Sequence, residues 1–131
     1  MTPEQVAAAM RPAAPLSNGR RGDRIGDMRV GNVGYHSFAG GRFRTVYYYD
    51  DRGLAQIALT PTSGHCRPVI DALIQRYGNP LRVSDQVILR VIIWHDPAAS
   101  NRIRLLMSQS VCTLHIERLS DYEAVDRAAA N

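Results

Sequence analysis

The sequence predicts a single α+β domain, residues 1–131, in which an antiparallel β-sheet packs against a central helix. Two observations predict it. Apolar side chains recur at helical spacing between residues 66 and 77, which is typical of a helix with one buried face. Segments rich in β-branched, aromatic or alternating apolar residues lie on both sides of that helix and are typical of strands. With 131 residues, 45% of them hydrophobic, the chain has the size and composition of one globular domain.

The start of the chain predicts a short helix followed by a loop. Residues 2–10 begin with Thr2, a good N-cap residue, and Pro3, which fits the first helical position. Residues 11–27 are punctuated by proline and glycine, which favours a flexible loop. Residues 28–38 are predicted to be weakly extended, because glycines interrupt the strand pattern.

A β-hairpin is predicted next. Its first strand, 42–49, is rich in aromatic and β-branched side chains, and its second, 54–60, places apolar residues along one face. The sequence Asp-Asp-Arg-Gly at 50–53 predicts the turn between them, in which Gly53 adopts a positive φ angle.

The helix predicted over residues 66–77 is the best-defined element. Ser63 is predicted as its N-cap, and Gly78 with the following proline is typical of a helix end. Its apolar stripe consists of Cys66, Val69, Ile70, Leu73 and Tyr77.

Three strands and a helical tail are predicted after this helix. Residues 87–94 are apolar on both faces except for Arg90 and predict a central strand, whereas 103–107 and 111–118 alternate and each bury one face. Residues 121–131 predict a short Ala-rich helical tail. The order of helix, strands, helix and strands indicates a tandem repeat of one helix followed by antiparallel strands.

Three segments carry a resemblance to known proteins. The opening MTPEQVAAAM is similar to the helix start of the SmpA/OmlA-like lipoproteins, the small subunit of the outer-membrane barrel-assembly machinery, and RFRTVYYYDDRGLAQIAL resembles the hairpin of those domains. The segment CRPVIDALIQRYGNP, followed by a strand ending in Trp94 and by Cys112, resembles small bacterial envelope proteins. The wider structural group includes β-lactamase-inhibitor-type tandem repeats. The resemblance implies a binding or scaffolding role without catalysis, and it assigns no site residues.

The opening residues depart from the lipoprotein pattern, since they show neither a signal peptide nor a lipid-bearing cysteine. The chain also has no apolar run of the length that a transmembrane helix needs. We therefore expect a chain without a transmembrane segment, in the periplasm or cell envelope if the resemblance holds and in the cytoplasm otherwise.

Cys66 and Cys112 are the most informative pair of residues. The pattern places Cys66 at the helix start and Cys112 on the last strand, each on an apolar face, so packing of the helix on that strand allows a disulfide. Two alternatives stay open. The thiols can be free and buried as small hydrophobic groups, or Cys66 can be a reactive thiol with a lowered pKa beside His65.

The aromatic strand 42–49 carries the predicted interaction surface. Arg42, Arg44 and Tyr48 alternate along it and should share the face opposite Tyr47. Arginine and tyrosine suit a partner protein or single-stranded nucleic acid. All 16 basic residues are Arg and the net charge is +4, but they are spread along the chain among 12 acidic residues. That spread favours a protein partner over nucleic acid.

The sequence predicts no catalytic, cofactor or metal site. Phosphate-loop, dinucleotide-binding, zinc-protease and nucleophile-elbow motifs are all missing. The spacing of His65, Cys66, His95, Cys112 and His115 matches no zinc pattern. We therefore expect neither a cofactor nor an enzymatic activity; a small enzyme with a cleft between helix and sheet is the third hypothesis.

These observations together predict a non-enzymatic envelope or periplasmic domain that binds or scaffolds another protein, either an envelope protein or a second copy of itself. The alternative is a cytoplasmic nucleic-acid-binding module that uses the Arg- and Tyr-rich strand.

Overall fold

A computed structural model describes residues 17–18, 24–25, 28–109 and 111–130. Within these residues nine strands form one antiparallel sheet, and two α-helices lie outside it. The strands are β1 (Ser17–Asn18), β2 (Arg24–Ile25), β3 (Met28–Phe38), β4 (Gly41–Asp50), β5 (Gly53–Ser63), β6 (Arg82–Asp85), β7 (Arg90–Asp96), β8 (Asn101–Ser108) and β9 (Val111–Arg118). The helices are α1 (Cys66–Tyr77) and α2 (Glu123–Ala130). The predicted α+β class with an antiparallel sheet is confirmed.

The sheet consists of two meanders joined along one seam. Its order is β1-β3-β4-β5-β9-β8-β7-β6, and β2 also pairs with β3. Strands β3 to β5 form the first meander and β6 to β9 the second. The seam is the pairing of β5 with β9, which runs from Gln56 opposite Glu117 to Leu59 opposite Leu114. Helix α1 leads from β5 at the seam to β6 at the far edge.

Helix α1 packs against the apolar face of the sheet, where it contacts β7 and β9. The helix occupies the predicted range and buries Cys66, Val69 and Leu73 of the predicted stripe. Trp94 of β7 is 1% exposed and donates a hydrogen bond from Nε1 to the carbonyl oxygen of Gly78, at 2.9 Å. The rest of this core comprises Phe43, Tyr47, Ile57, Leu59, Ile92, Ile103, Leu105, Cys112, Leu114 and Ile116.

The start of α1 differs from the prediction. Ser63 still belongs to β5, and the N-cap residue is His65, whose side chain makes no capping hydrogen bond. Gly64 turns the chain between them with a φ angle of 105°. A Cβ atom on Gly64 would lie 2.7 Å from the Cα atom of Gly41, so the turn requires glycine. The prediction of Ser63 as N-cap is wrong because strand pairing continues through it.

The hairpin of β4 and β5 matches its prediction, and Gly53 has the expected positive φ angle, 110°. Residues 28–38 are extended as expected and form β3. The predicted helix at 2–10 and most of the predicted loop at 11–27 lie outside the described residues. Two short pairings fall inside that loop range, β1 and β2, and both contact β3.

The prediction of one central strand at 87–94 is wrong. Val87 and Ile88 form the exposed tip of a turn between β6, which was not predicted, and β7. The turn is closed by a 2.7 Å hydrogen bond from the amide of Gln86 to the carbonyl of Leu89. β7 begins only at Arg90 and lies second from the edge. A run of Val, Ile and Leu has the same pattern in such a turn as in a buried strand.

No helix in the described part of the chain combines the length and the apolar character needed to cross a membrane.

Candidate functional site

The candidate site is the face of the sheet opposite α1, which we call the polar face. Because side chains alternate along each strand, every second residue points to this face. The pairing register aligns Tyr48, Gln56, Glu117, Arg102 and His95 in one row across β4, β5, β9, β8 and β7. Near its Arg102 and His95 end the row contacts α2.

A buried ion cluster lies beneath α2. Arg102 donates from Nε and Nη2 to the two carboxylate oxygens of Asp126, at 2.6 and 2.7 Å. Its Nη1 atom donates to Oε2 of Glu117 at 2.6 Å, and Arg104 Nη2 donates to the other oxygen of Glu117 at 2.7 Å. Arg102, Glu117 and Asp126 are all buried. Charges are tolerated in such an interior only when they are paired and hydrogen-bonded, as these are.

Asp126 of α2 also contacts His95. The Nε2 atom of His95 lies 2.8 Å from Oδ2 of Asp126, and because an ionised carboxylate only accepts, Nε2 is the donor. Burial acts to raise the pKa of Asp126, but hydrogen bonds from Arg102 and His95 outweigh it and lower that pKa. Tyr122 completes the cluster, since its ring lies 4.4 Å from the Arg102 guanidinium carbon.

His115 lies in the neighbouring row of the polar face, directly opposite Arg104 on β8. Its Nδ1 atom accepts a 2.7 Å hydrogen bond from Nε2 of Gln56. Burial, together with the positive charge of Arg104, lowers the pKa of His115 to about 4. The side chain is therefore neutral near pH 7 and acts as a hydrogen-bond acceptor within the sheet.

The exposed part of the polar face carries the predicted interaction residues. We call Tyr35, Arg42, Arg44 and Tyr48 the Arg–Tyr patch. The Arg42 guanidinium carbon lies 4.9 Å from the centre of the Tyr35 ring, and Arg44 is directly opposite Tyr35 on β3. Both arginines are exposed, and neither pairs with a carboxylate of the described residues. Their role in binding stays a prediction.

The two cysteines lie on the opposite, apolar face, where Cys66 and Cys112 form a disulfide between α1 and β9 with Cα atoms 5.4 Å apart. They are the only cysteines in the chain, so neither is a free buried thiol or a reactive nucleophile. A cleft of about 210 Å³ opens beside this bond, lined by Phe43, Pro61, His65 and others. It contains no free thiol for the cysteine chemistry considered above.

The histidines and cysteines considered as metal ligands do not come together. His95 and His115 belong to the polar face, and the disulfide lies on the other side of the sheet. Within the described residues, no group of three or more His, Cys, Asp or Glu side chains is arranged to hold a metal ion.

The ion cluster was not predicted from the sequence, although the alternation of charged residues along two strands indicates part of it. Alternation along β8 and β9 places Arg102, Arg104 and Glu117 on the side away from the core. Arginines on β8 and a glutamate on β9, both on that side, indicate that ion pairs form between the two strands. The contribution of Asp126 depends on how α2 folds back, which no local pattern encodes.

The chain shows little similarity to characterised proteins. No protein-family model matches it, and no curated protein does. Among solved structures, it is similar to a DUF4309 family protein, YjgB from Bacillus subtilis subsp. subtilis strain 168, with 12% identity and a TM-score of 0.41. That match covers 89% of this chain and 78% of the other. Similarity at this level assigns neither a fold family nor a function.

Proposed function

We propose that this chain is a non-enzymatic domain of the periplasm or cell envelope that binds an acidic segment of another protein through the Arg–Tyr patch. The observation that carries the proposal is a pair of exposed guanidinium groups, Arg42 and Arg44, that have no carboxylate partner among the described residues. Guanidinium groups bind carboxylates through paired hydrogen bonds. Aromatic side chains beside them add contact area with little loss of conformational freedom.

The Cys66–Cys112 disulfide supports the proposed location in the periplasm or cell envelope. Disulfides persist in oxidising compartments such as the periplasm and are rare in the cytosol. This bond joins α1 to β9, the strand that forms one side of the seam. An envelope protein or a second copy of this chain would be the partner.

The finer architectural expectations belong to the same proposal. A central position of α1, a tandem repeat of helix and strands, and membership of the SmpA/OmlA-like group would all be consistent with a scaffolding domain. Function is set by the chemistry of a site and not by the fold that carries it, and here that site is the Arg–Tyr patch.

Binding of a fluorescein-labelled hexaglutamate peptide tests the proposal. The double variant Arg42→Ser/Arg44→Ser should bind it about tenfold more weakly, because two charge-assisted contacts are lost. Arg67→Ser/Arg90→Ser removes two exposed arginines from other parts of the surface and is the matched control. If both double variants weaken binding equally, net charge alone attracts the peptide and the proposed surface is wrong.

The nucleic-acid alternative is favoured by the same patch, since tyrosines on which bases can stack, beside arginines, also suit single strands. A salt titration with labelled oligothymidylate distinguishes the two functions. Binding that weakens steeply with salt, as release of phosphate counterions requires, and that depends on Arg42 and Arg44 would favour the alternative. Absence of oligonucleotide binding at low salt would eliminate it.

A further inference from the structure

Helix α2 is hydrogen-bonded to the sheet through Asp126. Of its eight residues only Asp126 is buried, and Val125 is 71% exposed. A surface helix normally buries an apolar stripe, and an isolated helix of this length is unstable in water. The contacts of the Asp126 carboxylate therefore supply most of what holds α2 in its docked, helical state.

Three donors surround this carboxylate. Arg102 contributes two of them, at 2.6 and 2.7 Å, and His95 contributes the third at 2.8 Å. Both side chains are more than nine-tenths buried, with 8% and 4% exposure. Arg102 is also held by Glu117 from the neighbouring strand, so its guanidinium group stays oriented whether or not α2 is present. The donors form a built site on the rigid sheet.

The site requires a carboxylate. The Nδ1 atom of His95 is buried without a hydrogen-bond partner among the described residues. If Asp126 leaves, both ring nitrogens lack such a partner, and the cluster keeps two guanidinium groups but only one carboxylate. Unpaired buried polar groups are costly, so an empty site favours the entry of another carboxylate.

The tail can release α2 without disturbing the sheet. Leu119 is buried and its amide donates to the carbonyl of Ser100 at 3.1 Å. Arg52, in the turn between β4 and β5, binds both carboxylate oxygens of Asp121, at 3.0 and 3.1 Å. The chain is therefore anchored up to Asp121, so release of α2 would require only the residues from Tyr122 onward to move.

We propose that Arg102 and His95 form a carboxylate-binding site that α2 occupies in cis through Asp126, and that an acidic segment of a partner protein replaces α2 there. This inference rests on the proposed protein-binding function for the kind of partner. It adds a second site, distinct from the Arg–Tyr patch, and a competitor within the same chain. While α2 occupies the site, the partner cannot bind. The apparent affinity for the partner is therefore its intrinsic affinity multiplied by the fraction of molecules in which α2 is released.

Two matched variants of the full chain test the site. Asp126→Asn and Glu123→Gln each remove one negative charge from α2, but Glu123 pairs only with Arg127 of the same helix in the described structure. Asp126→Asn should bind labelled hexaglutamate about tenfold more tightly than the unsubstituted protein, because the competitor is weakened. Its amides at 123–130 should exchange hydrogen faster. Glu123→Gln should change neither property.

A combined variant separates this site from the patch. Asp126→Asn/Arg42→Ser/Arg44→Ser should retain the gain in affinity if the peptide enters beneath α2. Loss of the gain would place the peptide on the Arg–Tyr patch and overturn the present inference. If only the proposed role of the Arg–Tyr patch is wrong, the result is different. Arg42→Ser/Arg44→Ser then has no effect on hexaglutamate binding, while Asp126→Asn still binds the peptide more tightly.

The unsubstituted protein offers a test that does not depend on the stability of any variant. Saturating hexaglutamate should by itself accelerate hydrogen exchange at residues 123–130, because bound peptide displaces α2. Exchange that stays unchanged with the peptide bound would overturn the inference.

Discussion

At the scale of single residues, two glycines with positive φ angles differ in what surrounds them. Gly64 has a φ angle of 105° and approaches the backbone of Gly41, whereas Gly40 has a φ angle of 77° and open space where a Cβ atom would lie. Both positions need the conformational freedom of glycine. Gly64 has a second requirement, since its close contact with the backbone of Gly41 leaves no room for a Cβ atom.

Alanine at these two positions should therefore have unequal effects. Each substitution places a Cβ atom at positive φ, which costs about 1–2 kcal/mol. Gly64→Ala also forces the backbone of Gly41 to move, and such overpacking typically adds about 1–3 kcal/mol. Denaturant unfolding of Gly64→Ala and the matched Gly40→Ala measures the difference. Equal losses of unfolding free energy would show that the contact with Gly41 is not tight.

His115 makes the stability of the fold depend on pH. Its pKa is about 4 in the folded protein and 6.5 in an unperturbed chain. Well above pH 6.5 it is neutral in both states and adds no pH dependence. Between pH 6.5 and 4 the unfolded chain binds a proton that the folded protein does not, so the free energy of unfolding falls as the pH falls.

Replacement of His115 by Gln should remove this loss. Gln can still accept the hydrogen bond from Gln56 but does not titrate. Between pH 6.5 and 4, His115→Gln should lose less stability than the unsubstituted protein, by up to about 3 kcal/mol. The two proteins are compared by urea unfolding across this pH range, and their difference should be constant above it. Parallel profiles down to pH 4 would contradict the lowered pKa.

At the scale of elements, the disulfide fixes the start of α1 on the seam strand β9. It closes a loop with a sequence separation of 46 residues. A crosslink of this span stabilises mainly by restricting the unfolded chain. It also holds Val69 and Leu73 over the strands that they cover.

Reduction of the disulfide should lower the free energy of unfolding by roughly 4 kcal/mol, as the chain-entropy relation gives for such a loop. Guanidinium unfolding with and without dithiothreitol measures this loss. The double variant Cys66→Ala/Cys112→Ala is the control, since its unfolding should not respond to the reductant. If intact protein made in an oxidising compartment shows two free thiols by mass spectrometry, the envelope assignment loses its support.

Elements with a clear period could be predicted from the sequence. The helix at 66–77 and the strands at 42–49 and 111–118 have strong helical or alternating patterns, and the structure places them within one or two residues of the prediction. The turn at Val87 and Ile88 could not be predicted, because turns usually contain Gly, Pro, Asn, Asp or Ser and these two residues are apolar.

The candidate site could be predicted only in part. The alternation of Arg42, Arg44 and Tyr48 was sufficient to place them on one face. Burial of Arg102 was not predictable, because it depends on the return of Asp126 to the sheet across a sequence separation of 24 residues. A local pattern shows which side of a strand is polar, but it does not show what will cover that side.

At the scale of the whole molecule, the sheet should behave as one cooperative unit. The seam between β5 and β9 buries Ile57 against Ile116 and Leu59 against Leu114, so the cores of the two meanders are continuous. Neither meander has a separate core in the described residues.

We therefore expect a single unfolding transition. Fluorescence of Trp94, the one tryptophan, reports on the second meander, and far-ultraviolet circular dichroism reports on all strands. The two signals should give coincident urea midpoints, as in a two-state domain. Ile116→Ala should lower both midpoints together, with a loss of about 2–5 kcal/mol from the cavity at the seam. Separate midpoints would show that the meanders unfold independently.

The position of β9 also has a consequence for biosynthesis. Strands leave the ribosome in chain order, and β9 is the last of the described strands, yet it lies in the middle of the sheet. Until it emerges, β5 and β8 both present open edges, which are the parts of a sheet most prone to pair with other chains. Nascent chains stalled before Val111 should therefore aggregate more readily than chains that already contain the eight residues of β9.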